Sequence, residues 1–532
     1  MEITTNAALE AENLKLKIEN AKLANEVYEL RKLNEWYAEQ FKIGQRYRFG
    51  ASSEKSALPE QLVLFNEVEV SADANLPEPM LEGTITYSRK KRSGKRDELY
   101  DSLPTVQVIH EIPEEERVCP ICGGELHACG HEVLRREIEV IPATVRAVEH
   151  VQTVYSCRDC EKNSDGELAV PMVKAQVPAP VIPGSGIASP SLVAFVLSNK
   201  YVLALPFRRQ EQEFERQDII IPRQNMANWC ISVAKSWLKP IFELLYAVLL
   251  ACGIAQADET RYQVINEPNR KASTNSYLWI YRTGVYEQHQ VVLFVYTETR
   301  AGKNPLEFLA GFSGFLNVDG YAGYYALENN GVTLCGCWAH ARRKFVDVLT
   351  TVPKPQQKDS SASIGLAYCD QIFALERKYI EEGLTPEERY ERRLTDSKPI
   401  LLAFFAWATD LLPALTVKGK LREAVGYAVY QQTRLMNFLL DGRLEISNNR
   451  SERGVRPIAI GRNNWMFSYS PDGADSSAII YSIVETAKAN NLVPFKYLEF
   501  LFDTLPNITP EQFKDCLPWG RLAQQRCSVP PP

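Results

Sequence analysis

The stretch GIAQADET (253–260) reads as a short apolar strand that ends on an acid, and GFLNVDGYAGY (314–324) repeats that form around Asp319. Between them, SYLWIYRTG (276–284) and VVLFVYTET (291–299) are β-branched and aromatic runs separated by a turn, and NPLEFLAGF (304–312) reads as a helix. After Asp319 the pattern gives a helix, then TLCGCWAH (333–340) as another strand, which leads into the helix HARRKFVDVL (340–349). The order is three strands, helix, strand, helix, strand, helix. Three antiparallel strands followed by right-handed crossovers predict a mixed five-stranded sheet in which the first and fourth strands are neighbours. Asp258 and Asp319 then project toward one spot.

This is a ribonuclease-H-like architecture within a multidomain α+β chain. Two carboxylates at one spot repel each other unless a cation sits between them, and hard oxygen ligands with room for water and phosphate suit Mg²⁺ or Mn²⁺. A third carboxylate is expected from a helix, and LEISNNRSERGVRPIAIGRNNW (444–465) offers Glu452. Ser447 or Asn448 can cap the helix start, and Pro457 should end or bend it. Arg450, Arg453, Arg456 and Arg462 surround the acid; such positive charge suits a polyanion lying there. Asp258 and Asp319 are 61 residues apart, but Asp319 and Glu452 are 133 apart, too far for a bare loop. Residues 351–440 are helix-patterned and read as an insertion that splits the catalytic core into 251–350 and 441–490. Residues 491–532 read as a C-terminal tail.

Other positions near these acids have competing readings. Glu259 should point away from Asp258, because adjacent strand residues face opposite sides. His340 either orients a phosphate or metal-bound water, or caps its helix. Arg342, Arg343 and Lys344 follow the last core strand and read as a DNA-facing cluster. Trp338 and Trp465 read as core aromatics in preference to base-stacking platforms, and Cys335 and Cys337 lack a second pair to make a metal set.

The N-terminal half is modular. In the 1–45 segment, Leu9, Leu16, Leu23 and Leu30 fall seven apart, with Asn13, Asn20 and Asn34 on the complementary seam. That is the pattern of a parallel two-stranded coiled coil, whose alternative is one amphipathic helix packed on its own chain. The connector 46–116 holds RKKRSGKR (89–96), in which Arg89, Lys90, Lys91, Arg92, Lys95 and Arg96 either lie along phosphates or are simply solvated. In 117–162, Cys119, Cys122, Cys157 and Cys160 make two Cys-x-x-Cys turns, the ligand set of a closed structural Zn²⁺ ribbon. A Pro- and Gly-rich linker (163–189) leads to a helical region, 190–250, that resembles a helix-turn-helix; Arg223 and Gln224 open its last helix. A plain helical spacer is the competing reading.

Composition bounds the rest. At roughly 100–200 residues per domain, 532 residues predict three or four folding units. Lys plus Arg is 60 against 66 Asp plus Glu, a net charge of −6, which excludes a uniformly basic, histone-like protein but not a local basic face. The first residues carry charges where a signal core would lie, and no apolar run reaches the ~18 residues of a membrane span, so a cytoplasmic protein is expected.

The segments ADET, NVDGYAGY, CWAHARRKF and SNNRSERGVRPIAIGRNNW, with RFGASSEKS (48–56), the paired cysteines and LPW (517–519), resemble the DDE transposases of the insertion sequence 66 family. The resemblance spans nearly the whole chain. It implies Asp258, Asp319 and Glu452 as the catalytic acids, an insertion between the second Asp and the Glu, and double-stranded DNA as substrate. It also implies two small accessory proteins as partners; the homodimer is expected from the coiled-coil heptad instead. The expected chemistry uses two metal ions, about 3.5–4 Å apart, to cut at the element's ends and join the freed 3′-hydroxyl to target DNA. The competing functions are a ribonuclease-H-like nuclease without strand transfer, and a zinc-containing DNA-binding relic or regulator that does not use the acids.

Overall fold

The computed structural model describes residues 145–156, 172–352, 357–358, 360–415 and 419–530, and the chain divides into a unit of 65–177 and one of 1–64 with 178–532. The coiled coil, the basic run 89–96 and the cysteines at 119, 122, 157 and 160 lie outside the described residues. In the smaller unit, β1 (Val154–Ser156) and β2 (Met172–Lys174) pair antiparallel. The Ala175 amide extends the pair by donating to the Thr153 carbonyl at 3.0 Å.

The larger unit opens with α1 (Pro190–Tyr201) and α2 (Phe207–Glu215), then α3 (Arg223–Val233), which runs through a wide π-type turn into α4 (Lys239–Ala251). Ser189 caps α1 by accepting from the Leu192 amide. Met226, Trp229, Cys230 and Val233 of α3 are buried in the main apolar core, so these helices are integral to the unit.

Strands β3 (Ile254–Gln263), β4 (Asn275–Thr283), β5 (Val292–Thr297), β6 (Phe315–Val318) and β7 (Thr333–Gly336) form one sheet in the order β5-β4-β3-β6-β7. The first three are antiparallel, and β6 and β7 join parallel to β3, the arrangement expected from the sequence. Helix α5 (Lys303–Phe308) and a 3₁₀ segment (Ala322–Asn330) make the crossovers, and α6 (Trp338–Leu349) follows β7. The described residues of 361–440 are mainly helical, with α7 (Ser361–Glu381), α8 (Pro386–Arg392), α9 (Lys398–Ala414), α10 (Lys420–Tyr430) and α11 (Gln432–Met436). They build a second apolar cluster with Trp338 and Phe345 of α6 and with Cys335 of β7.

The chain then returns through α12 (Asn449–Gly454) and α13 (Arg456–Trp465) to α14 (Pro471–Ala489). Helix α14 covers the open edge of β5. Its Thr486 and Ser482 hydroxyls accept from the Val292 and Phe294 amides at 3.0 and 2.7 Å, which removes an unpaired sheet edge. Residues 491–530, expected as a tail, instead hold α15 (Pro494–Thr504) and α16 (Arg521–Cys527). The apolar run YLEFLF explains this: Tyr497, Leu498, Leu501 and Phe502 are buried in the main core. No helix among the described residues is long and apolar enough to cross a membrane.

Candidate active site

Register, more than proximity in sequence, sets the site. In the parallel pair β3–β6, Ile254 lies opposite Phe315 and Gln256 opposite Asn317. Carrying that register two residues further puts Asp258 level with Asp319. In β6–β7, Val318 lies opposite Gly336, so one further step puts Asp319 level with Cys337. Three positions thus fall in one row: Asp258 midway along β3, and Asp319 and Cys337 just past the carboxyl ends of β6 and β7. In open sheets with helical crossovers, that end is where ligands bind.

Each aspartate is held by one backbone amide: Glu259 N–H to Asp258 Oδ1 at 2.9 Å, and Tyr321 N–H to Asp319 Oδ1 at 2.8 Å. Burial, then the charges of Glu259, Asp319 and Glu452, pushes the Asp258 carboxyl well above the usual carboxylate range. Glu259 does turn away, as strand alternation predicts. Its carboxylate is tied to Arg300 at 2.6 Å and to the Tyr324 hydroxyl at 2.8 Å.

Glu452 reaches the row from α12. Gly454 makes the approach possible, because a Cβ there would lie 2.4 Å from Ile280 Cδ1, on the strand residue paired with Asp258. Asn448 occupies the N-cap position of α12, but its side chain makes no cap; Nδ2 instead donates to the Ala257 carbonyl at 2.8 Å. Upstream, Asn317 Nδ2 donates to the Glu445 carbonyl at 2.7 Å, and Gln256 Nε2 donates to the Glu445 carboxylate at 2.6 Å. Pro457 does not end the helix; it falls in the first turn of α13, after a break at Val455.

Arg343 Nη2 donates to Glu452 Oε2 at 3.2 Å, and His340 Nδ1 lies 3.6 Å from Glu452 Oε1. His340 therefore faces the acid and does not cap α6, which has no side-chain cap. Burial lowers the His340 pKa, with Glu452 raising it and Arg343 lowering it further. Cys337, which the sequence reading left aside, also lies here: its Sγ, a His340 ring nitrogen and a Glu452 oxygen are within 4.8 Å of one another. Its signal in the sequence is the Cys-x-x-His spacing, which puts both residues at one end of one helix.

The basic residues divide. Arg453 is exposed, and Arg343 stands at the acid. Arg450 is committed elsewhere, to Glu445 at 3.1 Å and Gln290 at 3.0 Å, so the positive rim is thinner than the sequence suggests. Arg342 pairs with Asp370 of α7 at 2.6 Å, and Lys344 lies over the Tyr427 ring at 5.0 Å. Arg456 is half-buried, and Arg462, half-buried as well, donates to the Arg261 carbonyl. Arg223 and Gln224 are exposed on the first turn of α3. Trp338 is fully buried and Trp465 partly so, the core role expected for both.

Asp258 and Asp319 stand level on neighbouring strands, and Asp258 feels the charge of Asp319 and of Glu452; oxygen donors of this kind suit a hard divalent cation. Among the described residues the three carboxylates do not all lie within 4.8 Å of one another; the atoms that do are Cys337 Sγ, a His340 ring nitrogen and a Glu452 oxygen. The architecture is a mixed sheet followed by a helical insertion, after which the chain returns to the sheet with Glu452. The chain belongs to the IS66 transposase family, whose model matches residues 185–476. Further matches are the zinc-finger binding domain of transposase IS66 (116–161), the IS66 C-terminal element (482–519) and a model described as Transposase C of IS166 homeodomain (36–108). Similar proteins include the uncharacterized protein y4jD of Sinorhizobium fredii, 29% identical over 473 residues, which cover 86% of this chain and 88% of that one. The uncharacterized protein y4hP of the same organism is 27% identical over 479 residues, covering 87% and 82%.

Proposed function

We propose that this transposase binds the terminal inverted repeats of its element, nicks DNA there and transfers the freed 3′-hydroxyl into target DNA, on a ribonuclease-H-like catalytic domain. The observation that supports the reading is the β3–β6 register, which puts Asp258 level with Asp319, together with the charge of Asp319 and Glu452 felt at Asp258. These three acids would hold Mg²⁺ or Mn²⁺. A divalent ion there supplies a water made nucleophilic near neutral pH and charge stabilisation for the leaving 3′ oxygen. Asp258 and Asp319, fixed by strand backbone, bind and orient. Glu452, on a separate helix beside Arg343, closes the ligand set, and Arg343 and Arg453 neutralise phosphate charge alongside it. No Ser or Tyr nucleophile is needed, because the 3′-hydroxyl itself attacks.

The zinc-finger match supports Zn²⁺ at Cys119, Cys122, Cys157 and Cys160 as a structural centre. DNA contacts are assigned to the basic run 89–96, to Arg223 and Gln224, and to the arginines near Glu452. The heptad in 1–45 supports a homodimer that pairs two ends, and the accessory proteins rest on family likeness.

The test is incubation of the full chain with a duplex carrying its element's end, with and without Mg²⁺, followed by pre-cut ends with target DNA. Mg²⁺-dependent nicking and joined product are expected. Nicking without joining reduces the protein to a nuclease, and binding without nicking reduces it to a regulator.

A further inference from the structure

Cys337, His340 and Glu452 make a ligand set that the hard-cation site does not use in full. Cys337 holds the N-cap position of α6, and His340 lies one turn on. His340 Nδ1 and Glu452 Oε1 face each other at 3.6 Å, and both atoms are buried without a hydrogen-bond partner. Two such atoms left open beside a thiol are a costly arrangement unless something joins them. A sulfur, an imidazole nitrogen and one carboxylate oxygen is the donor choice of Zn²⁺; Mg²⁺ takes oxygen alone.

We propose that Cys337, His340 and Glu452 bind Zn²⁺ or a similarly soft divalent ion, with the fourth position left to water, and that this occupancy withdraws Glu452 from Asp258 and Asp319. The thiol proton leaves to solvent as the metal–sulfur bond forms. The withdrawal rests on the catalytic reading above, whereas the binding does not. One side chain would then serve two sites of different chemical hardness. Free zinc becomes an inhibitor that acts at the acid itself, without touching the aspartates.

Cadmium NMR on the full, cadmium-loaded chain separates the two kinds of centre, because deshielding grows with the number of sulfur ligands. The wild type should show a resonance of one-thiolate type apart from that of the four-cysteine ribbon. Cys337→Ser should remove it, and His340→Ala, at a half-exposed position, should remove or shift it. Asp319→Asn should keep it. A wild-type spectrum without that resonance, or one in which it survives Cys337→Ser, overturns the site. In a second arm, the ratio of Mg²⁺-dependent nicking without and with added Zn²⁺ should reach at least about tenfold in the wild type, by analogy with the losses seen when a metal's supporting groups are disturbed, and be much smaller in Cys337→Ser. A cadmium resonance with no such inhibition leaves the site standing and overturns the withdrawal of Glu452. If the chain nicks nothing under any condition, the catalytic reading fails, and the resonance still decides the site.

Discussion

The two aspartates and Glu452 are positioned by different physical means. Asp258 and Asp319 follow from a β ladder: once β3 and β6 pair in register, both carboxylates are level, and each needs only one further backbone amide. Glu452 has no ladder. Its helix hangs on the sheet through Asn448, Asn317 and Gln256, and the segment before it is gripped from the insertion by Arg393. Arg393 is fully buried and donates to both oxygens of Glu376 and to the carbonyls of Phe438, Asp441 and Leu444. Backbone pairing is cooperative and resists single changes, whereas an acid held by separate side-chain struts can be loosened one strut at a time. Glu452 on α12 is therefore the adjustable member of the proposed set.

The largest expected effects treat all three acids alike. Asp258→Asn, Asp319→Asn and Glu452→Gln should each bring nicking of an end-containing duplex to background while gel-shift binding persists; an active variant at any position removes that residue from the set. Arg393→Ala sharpens the contrast. It strands Glu376 in the core, and breaking a buried pair in this way costs about 3–5 kcal/mol, read by denaturant unfolding. Nicking should fall as the 438–446 segment loosens. Unchanged nicking in folded Arg393→Ala would show that the insertion does not hold Glu452.

Asn448→Ala comes next. It removes a buried strut and leaves the Ala257 carbonyl unpaired, at about 1–3 kcal/mol. Its predicted signature is a higher Mg²⁺ requirement for nicking, since Glu452 is then less well placed. A variant with lower stability but an unaltered Mg²⁺ requirement would make Asn448 purely structural. Asp258→Asn has a second, smaller and opposite effect. Burial and the neighbouring acids disfavour a charge on Asp258 in the metal-free fold, so the variant, which carries none, should melt somewhat higher without metal. Mg²⁺ should raise the wild-type midpoint and not the variant's.

The ladder half of this comparison was legible in the sequence, and the strut half was not. Aromatic and β-branched runs ending on acids announce strands, and the order of elements limits how they pair, so the sheet and its two aspartates could be read directly. Glu452 was found from its arginine-rich surroundings, yet one of those arginines, Arg450, pairs with Glu445 and Gln290. Spacing carries no information on which carbonyl, some 190 residues away, an Asn side chain will meet. Asn448 was read as a cap because local chemistry allows a cap, and a tertiary partner won. Cys337 escaped because Cys335 and Cys337 alternate on a strand without a second pair, and the register that sets Cys337 beside Asp319 is not written in the spacing.

The smallest effect tests whether the neighbour of Asp258 belongs to the ladder or to the chemistry. Glu259 is nearly enclosed, with 4% of its side chain exposed, and the Arg300 guanidinium and the Tyr324 hydroxyl answer its charge. Burial and Asp319 raise its pKa, while Arg300 and Tyr324 lower it. Tyr324→Phe deletes one hydrogen bond to that carboxylate and keeps the ring, which meets Trp279 edge-on at 5.8 Å. The expected loss is about 1–2 kcal/mol in unfolding free energy, with the Mg²⁺ requirement for nicking unmoved, because the struts of Glu452 are untouched. A shifted Mg²⁺ requirement in this variant would mean that the charge on Glu259 reaches the metal ligands, and that the two faces of β3 are less separate than strand alternation makes them.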